Sequence, residues 1–226
     1  MSTPCARILA RLRQSELVAD QSPSELPVRR FDWDAQERLE RFRERLEAVR
    51  GEVHRVGDDW PLRALALLQA RGARSLLYGP ESAAGPDLEG AWRAAGREAS
   101  GMRLIPYGEP VESFRGTLFD AVDAGFTGCR GAIAETGTLV LWPDAREPRL
   151  LSLVPPIHLV LLDAPAIRST FAEILDEQGW SRDMPTNALL VTGPSKSADI
   201  EQTLTYGVHG PKELIVLVRG ARECGA

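Results

Sequence analysis

The sequence contains few cysteines, and their arrangement matches no thiol-based site. Three occur among 226 residues, at Cys5, Cys129 and Cys224. Their number is odd and no Cys-x-x-Cys pair is present, whereas iron–sulfur clusters and structural zinc sites generally take four ligands. A disulfide framework and a cluster bound by this chain alone are therefore disfavoured, and we predict no cofactor.

Basic residues are not in excess, and long apolar runs are missing. Lys and Arg number 27 against 32 Asp and Glu, which gives a net charge of −5. A face that binds nucleic acid normally requires a surplus of Lys and Arg, so the sequence argues against such a partner. No apolar run approaches the ~20 residues that cross a bilayer, and the N-terminus lacks the layout of a signal peptide. We expect a cytoplasmic protein without a membrane span.

Three familiar nucleotide-binding and catalytic motifs are also absent. The chain has neither the Gly-x-Gly-x-x-Gly of dinucleotide-binding folds nor the Gly-x-x-x-x-Gly-Lys-Ser/Thr of P-loops. The Gly-x-Ser-x-Gly elbow of serine hydrolases is missing as well. These absences disfavour a nicotinamide site, a P-loop phosphate site and a serine nucleophile.

Apolar runs alternate with amphipathic segments along most of the chain. Strands are predicted at residues 53–56, 75–78, 102–105, 132–134, 138–142, 157–162, 188–191 and 214–218. The apolar runs at 188–191 and 214–218 are predicted to be buried strands. Helices are predicted at residues 6–19, from a cap at Asp32 to about residue 50, at 60–71, after Asp87, at 114–122 and at 166–178. This alternation predicts an α/β fold, a mainly parallel sheet with helices on both faces. We place an N-terminal helical extension at residues 1–50 and the α/β domain at residues 51–226.

A short turn at Glu135-Thr136-Gly137 separates two of the predicted strands. A carboxylate between buried strands is costly unless it is hydrogen-bonded or has a function, and Gly137 can supply a positive φ. Glu135 is therefore our candidate catalytic residue, with Thr136 and Gly137 as candidate ligand-binding residues. The alternative is a carboxylate that only satisfies local backbone amides.

Two histidines lie at predicted strand boundaries. A Pro-Pro pair fixes the entry of the chain into the strand at 157–162 and puts His158 near its start, where a lone histidine most often has a structural role. His209 has glycine on both sides within two residues, which lets the backbone bend sharply towards a ligand. Both histidines are candidate ligand-binding residues.

The segment Gly193-Pro-Ser-Lys-Ser197 follows a predicted strand and looks like the N-terminus of a helix or a turn. Free backbone amides, the hydroxyls of Ser195 and Ser197 and the charge of Lys196 would together attract an anion. The alternative is a turn that only caps a helix starting near Ala198. Because all of these motifs lie at strand ends, we expect the strands ending near residues 134, 162 and 191 to converge with the His209 loop on one cleft.

In this combination the chain resembles the lactate utilization protein C family, a group of LUD-domain proteins. The resemblance covers roughly residues 51–219, and Lys196-Ser197 stands where family members often have Arg-Thr. The matching pieces are Ala134-Glu-Thr-Gly-Thr138, Pro155-Pro156-x-His158, Gly193-Pro-Ser-x-x-Ala-Asp-Ile-Glu201 and Gly207-Val-His-Gly-Pro211.

The resemblance implies a fold like that of the NagB/RpiA/CoA-transferase group. It also implies a role in oxidising L-lactate to pyruvate, together with partner proteins that carry iron–sulfur clusters. This chain would then be a non-redox subunit or would bind a small anionic ligand. In CoA-transferase relatives a Glu beside a Gly-containing turn is the nucleophile, and Glu135 resembles that placement. The alternative is therefore an independent acyl- or phosphate-handling enzyme that uses Glu135.

Overall fold

The computed structural model describes residues 4–14, 29–96, 101–108, 111–198 and 204–220. The chain divides into two units, Met1–Arg30 and Phe31–Ala226. The first contains helix α1, Pro4–Gln14, which overlaps the helix predicted at residues 6–19. Residues 15–19 of that prediction, and Cys224, lie outside the described residues.

The second unit consists of helices and strands that alternate along most of the chain. Its helices are α2 Ala35–Glu47, α3 Trp60–Ala70, α4 Gly85–Ala94, α5 Val111–Asp120, α6 Leu150–Leu153 and α7 Phe171–Glu177, with a short 3₁₀ helix at Ala164–Ala166. Its strands are β1 Gly51–Val56, β2 Ser75–Tyr78, β3 Arg103–Pro106, β4 Ala124–Gly128, β5 Gly131–Ile133, β6 Thr138–Leu141, β7 Ile157–Asp163, β8 Ile167–Arg168, β9 Leu189–Val191, β10 Lys196–Ala198, β11 Leu204–Tyr206 and β12 Glu213–Arg219. None of the described helices has the length and apolar character that a membrane span requires.

A six-stranded sheet in the order β1-β12-β7-β4-β2-β3 forms the centre of this unit. Every strand pairing in it is parallel, so the sheet has one amino-terminal and one carboxyl-terminal edge. The predicted α/β fold with a mainly parallel sheet is therefore confirmed. The chain leaves β2 for β3 on one side, then returns to β4 and continues to β7 on the other side, so the connections diverge between β2 and β4.

Helices cover both faces of the sheet, as the alternating burial of β12 shows. Ile215 and Leu217 pack in one core cluster with Trp60 of α3 and Leu88 of α4. The intervening residues of β12, Leu214, Val216 and Val218, pack in a second cluster with Leu39, Phe42 and Leu46 of α2. A parallel strand buried on both faces is apolar throughout, which is why residues 214–218 could be recognised as a strand.

A second sheet of four strands, in the order β8-β5-β6-β9, accounts for one wrong prediction. Its strands β5 and β6 are antiparallel and flank the turn at residues 135–137, as predicted. The run at residues 188–191 was expected to be a buried strand. It is β9 instead, an edge strand of this small sheet in which Leu190 is 52% exposed.

Several element boundaries differ from the sequence-based ones for local reasons. Helix α2 is capped by Asp34 rather than Asp32, because the Glu37 amide donates to Asp34 Oδ1 at 2.8 Å. The apolar face of α2 packs on the sheet, so α2 lies in the second unit, whereas we divided the chain after residue 50. Helix α7 starts five residues later than predicted, because residues 167–168 pair with β5 and Thr170 caps the helix.

Candidate functional site

Three of the four sequence motifs meet at one small pocket on the amino-terminal edge of the central sheet. His158 is the second residue of β7 and Leu214 the second residue of β12. The loops before β12 and after β9 close the pocket, whose volume is about 200 Å³. We call it the motif pocket; the residues that define it are His158, Val191, Thr192, Gly193, Ser195, His209 and Leu214.

His158 forms the buried polar part of this pocket. It is 1% exposed, and its Nε2 lies 2.9 Å from the Thr127 hydroxyl on the neighbouring strand β4. Burial lowers the pKa of His158 to about 3. The imidazole is therefore neutral at physiological pH and acts as a hydrogen-bonding group rather than a charge.

The loop at residues 193–195 is fastened to the loop at residues 207–211 by backbone hydrogen bonds. The Ser195 amide donates to the Pro211 carbonyl at 2.8 Å, and the Gly207 amide donates to the Ser195 carbonyl at 2.9 Å. Gly193 has a φ of +94° and lies so close to helix α2's end that an added Cβ would be 3.0 Å from Val49. Glycine is therefore required at position 193 by both conformation and space.

The predicted helix or turn N-terminus at residues 193–197 is wrong. Residues 196–198 form strand β10, which pairs antiparallel with β11, and residues 199–203 lie outside the described part of the chain. The Ser195 amide, expected to bind an anion, is already used by Pro211. Lys196 is exposed, and neither Lys196 nor Ser197 lines the motif pocket. The antiparallel pair of β10 and β11 thus replaces the expected cradle of free amides.

The turn at Glu135 is connected to the motif pocket through a chain of hydroxyl groups. Thr136 Oγ1 lies 2.7 Å from Thr138 Oγ1, which lies 2.6 Å from Thr192 Oγ1. Glu135 itself is half-buried, its amide donates to the Ser169 carbonyl at 3.1 Å, and it does not line the pocket.

Gly137 is fixed by the packing of this turn on helix α2. It has the expected positive φ, +66°, and an added Cβ would lie 2.6 Å from the Cβ of Arg45 and 2.7 Å from the Leu46 amide nitrogen. The structure therefore gives Gly137 a packing role. Of the strand ends expected to converge, Val191 reaches the motif pocket with His209, whereas residues 134 and 162 do not.

A larger cleft lies at the opposite, carboxyl-terminal edge of the sheet, and the sequence analysis missed it. Its volume is about 540 Å³. We call it the carboxyl-edge cleft; the residues that define it are Ser82, Gly128, Arg130, Trp142, Asp144, Arg146, Glu147, Asp163, Asp183 and Arg219. A glycine directly after β2, Gly79, and a glycine ending β4, Gly128, were the available signals, since glycine lets other groups approach a strand end closely.

Glu147 is the most unusual group in this cleft. Both carboxylate oxygens lie 3.1 Å from the Gly128 amide, which donates to them. Burial raises the pKa of Glu147, although the Gly128 amide and the nearby Ser82 hydroxyl favour the charged form. A carboxyl group with a raised pKa in a cleft can exchange a proton with a ligand.

The described residues do not form a metal-binding group of three or more His, Cys, Asp or Glu side chains. Cys129 borders the cleft, but its thiol donates to the Leu161 carbonyl with a sulfur–oxygen distance of 3.4 Å. Burial raises the pKa of Cys129 well above the usual range of a thiol. The thiol is therefore protonated and a poor nucleophile.

Comparison with known proteins identifies relatives that match different fractions of this chain. An uncharacterized protein of Neisseria meningitidis serogroup B is 32% identical over 216 residues, which cover 93% of this chain and 91% of that protein. The lactate utilization protein C of Deinococcus radiodurans is 37% identical over 102 residues, covering 45% of this chain and 48% of that protein. The protein of the same name from Macrococcus caseolyticus is 33% identical over 103 residues, covering 44% and 45%. These matches span about half the length of the lactate utilization proteins.

A solved structure supports the fold. The crystal structure of a DUF162 family protein from Deinococcus radiodurans superposes with a TM-score of 0.57 at 23% identity, covering 83% of this chain and 99% of that one. The sequence profile of the LUD domain matches residues 39–218. With the relative that matches over 93% of the chain, this match shows that the chain belongs to the LUD domain family.

Proposed function

We propose that this protein takes part in L-lactate utilization, as the subunit that binds a small carboxylate in the motif pocket. Relatives named lactate utilization protein C support the process. The observation that carries the assignment to the pocket is the meeting of His158, Ser195 and His209, from three separate motifs, around one space of about 200 Å³.

The lining of the motif pocket suits a small carboxylate with a short apolar group. Val191 and Leu214 supply apolar surface, while His158, Ser195 and His209 supply a few polar groups, and such a mixture orients small ligands. When the Thr127 hydroxyl donates to Nε2 of His158, the proton lies on Nδ1, and the ring can donate a hydrogen bond. Recognition by a neutral imidazole avoids the cost of a buried charge.

Oxidation of lactate to pyruvate releases two electrons and two protons, so a redox partner has to accept the electrons. The chain contains three cysteines, fewer than the four thiolates of a common iron–sulfur cluster. We therefore propose iron–sulfur partner proteins as the electron acceptors and a non-redox role for this subunit.

A second candidate function is an independent acyl- or phosphate-handling enzyme with Glu135 as its nucleophile. The hydroxyl chain Thr136–Thr138–Thr192 favours it, because it connects the Glu135 turn to the motif pocket. In that case the purified chain would exchange acyl groups by itself, and Glu135→Gln would abolish the exchange while L-lactate binding persisted. Acyl exchange that is absent from the wild type, or equal in Glu135→Gln, would contradict this candidate.

Calorimetric titration with L-lactate tests the first proposal. We expect the wild type to bind, and Ser195→Ala to bind about three- to tenfold more weakly, the loss of one hydrogen bond. Lys196→Ala is the matched control, because Lys196 is exposed next to Ser195 without lining the pocket. We expect its affinity to stay within about threefold of the wild type.

Two results would contradict the proposal. One is the absence of any L-lactate binding by folded wild-type protein. The other is an equal loss of affinity in Ser195→Ala and Lys196→Ala, which would mean that L-lactate is held by surface charge outside the pocket.

A further inference from the structure

The carboxyl-edge cleft occupies the position where open α/β sheets generally bind ligands. Ser82 follows β2, Gly128 ends β4, Asp163 ends β7 and Arg219 ends β12. The connections of the sheet diverge between β2 and β4, and such a divergence leaves a crevice at the carboxyl ends of the strands. The motif pocket lies at the other edge, so the two sites use different loops.

The acidic wall of the cleft is held in place by a tight turn. Asp144 Oδ1 accepts hydrogen bonds from the amides of Arg146 at 2.7 Å and Glu147 at 2.8 Å. Gly79 lets this turn approach β2, because an added Cβ would lie 1.9 Å from the Arg146 carbonyl oxygen. The turn presents the Glu147 carboxyl group to the Gly128 amide, so its orientation in the cleft is fixed before a ligand arrives.

The next feature of the cleft is the buried hydroxyl group of Ser82, close to the Glu147 carboxyl group. Ser82 is 5% exposed, and among the described residues its Oγ meets no partner with hydrogen-bonding geometry, although the Glu147 carboxyl group lies nearby. An unsatisfied buried hydroxyl costs about 1–3 kcal/mol. Ser82 lies three residues before the start of α4, and its carbonyl oxygen accepts a hydrogen bond from the Gly85 amide at 3.2 Å.

Two guanidinium groups at the cleft are available to a ligand. Of the three arginines that line the cleft, Arg219 is already paired with Asp163, with an N–O distance of 2.8 Å. Within the described part of the chain, Arg146 has only a 4.0 Å contact with Asp144, and Arg130 lies over the Trp142 ring at 4.7 Å without a carboxylate partner. The cleft therefore combines guanidinium groups and a buried hydroxyl group with carboxyl groups.

We propose that the carboxyl-edge cleft is a second binding site, separate from the motif pocket, for a small organic anion that also carries hydroxyl or amino groups. Ser82 and Arg146 bind its anionic group. The carboxyl groups of Glu147 and Asp183 accept hydrogen bonds from its hydroxyl or amino groups. A volume of about 540 Å³ is larger than a single ion needs and lies within the usual ~300–1,000 Å³ of ligand pockets.

Amide chemical shifts of the complete chain, followed by NMR, test this site with two simple probes, inorganic phosphate and acetate. We expect phosphate, acetate or both to shift the amides of residues 82–85 and 128–130 in a saturable way. The probe that binds more tightly distinguishes a phosphorylated from a carboxylated ligand. Ser82→Ala and Arg146→Gln should each weaken this binding about three- to tenfold.

Arg63→Gln is the matched control, because Arg63 is exposed on α3 and lies outside the cleft; it should leave the affinity unchanged. If Ser82→Ala does not fold, the exposed Arg146 variant decides the question. The proposal is overturned if neither probe shifts these amides. It is equally overturned if Ser82→Ala and Arg146→Gln both bind as tightly as the wild type. The comparison of Ser195→Ala with the wild type in L-lactate titrations concerns a residue outside the cleft, so failure of one proposal is distinguishable from failure of the other.

Discussion

The two edges of the central sheet differ in how their sites are made. The motif pocket is small, largely apolar and built from loops that the sequence motifs mark, with a neutral His158 at its base. The carboxyl-edge cleft is larger and charged, and its residues come from positions as distant as Ser82 and Arg219. Sequence motifs therefore identify the loops that form the motif pocket. The position of the carboxyl-edge cleft is instead determined by the order of the strands in the sheet.

The largest expected effect comes from filling the space that Gly79 leaves at the carboxyl edge. An added Cβ would lie 1.9 Å from the Arg146 carbonyl oxygen, so the turn carrying Glu147 has to move. We expect Gly79→Ala to lower the free energy of unfolding by about 3 kcal/mol, measured by chemical denaturation.

Gly90→Ala is the control for this variant, because Gly90 lies in α4 with no atom within 4 Å of an added Cβ. It should raise the free energy of unfolding by about 0.5–1 kcal/mol. If Gly79→Ala were as stable as Gly90→Ala, the fixed position of the Glu147 turn would be contradicted.

His158 should make the motif-pocket edge sensitive to acid. Its pKa falls from 6.5 to about 3 on burial, so the unfolded chain takes up a proton below pH 6.5 that the folded chain refuses. The contribution of neutral His158 to the free energy of unfolding is therefore fully present above pH 6.5 and decreases as the pH falls below this value. Between pH 7 and pH 5 the loss is about 2 kcal/mol.

The measurement compares the unfolding free energies of the wild type and His158→Gln across this pH range. The variant removes the titrating group but keeps a partner for the Thr127 hydroxyl. We expect the difference between the two proteins to change by about 2 kcal/mol from pH 7 to pH 5. Parallel pH profiles would contradict this account, because they would show that the pKa of His158 is the same in the folded and unfolded states.

Glu147 should make the free energy of unfolding depend on pH in the direction opposite to His158, and to a smaller extent. Its pKa is raised above 4.5 by burial, with the Gly128 amide and the Ser82 hydroxyl opposing the shift. The folded state therefore holds this proton more tightly than the unfolded state. The stability of the wild type relative to Glu147→Gln should be greatest at low pH and should decrease as the pH rises through the folded-state pKa. A rising difference would contradict the burial of this carboxyl group.

The sequence was sufficient to predict elements that have a local signal. It was not sufficient where the conformation of a segment depends on pairing with residues distant in the sequence. Strands at residues 75–78, 157–162 and 214–218 were recognised because burial on both faces makes them apolar throughout. Residues 196–198 were misread because their conformation depends on pairing with Leu204–Tyr206, which no local signal specifies. At α7 a local signal was missed, since Thr170 and Glu173 form a capping pair three residues apart.

The candidate sites divide in the same way. Four of the candidate ligand-binding residues predicted from the sequence line one pocket: His158, Gly193, Ser195 and His209. Lys196 and Ser197 were selected on the expectation of a helix terminus, which β10 replaces. Glu147 has no motif around it, and its environment arises only when β2, β4 and the turn at Asp144 are brought together.

Mapping L-lactate binding by amide chemical shifts of the complete wild-type chain tests the separation of the two edges most directly. The account predicts saturable shifts at residues 192–195 and 207–210, around the motif pocket, at lower L-lactate concentrations than any shifts at residues 82–85 and 128–130. Shifts confined to the second group of amides would contradict it, because L-lactate would then occupy the carboxyl-edge cleft and the motif pocket would have no ligand role.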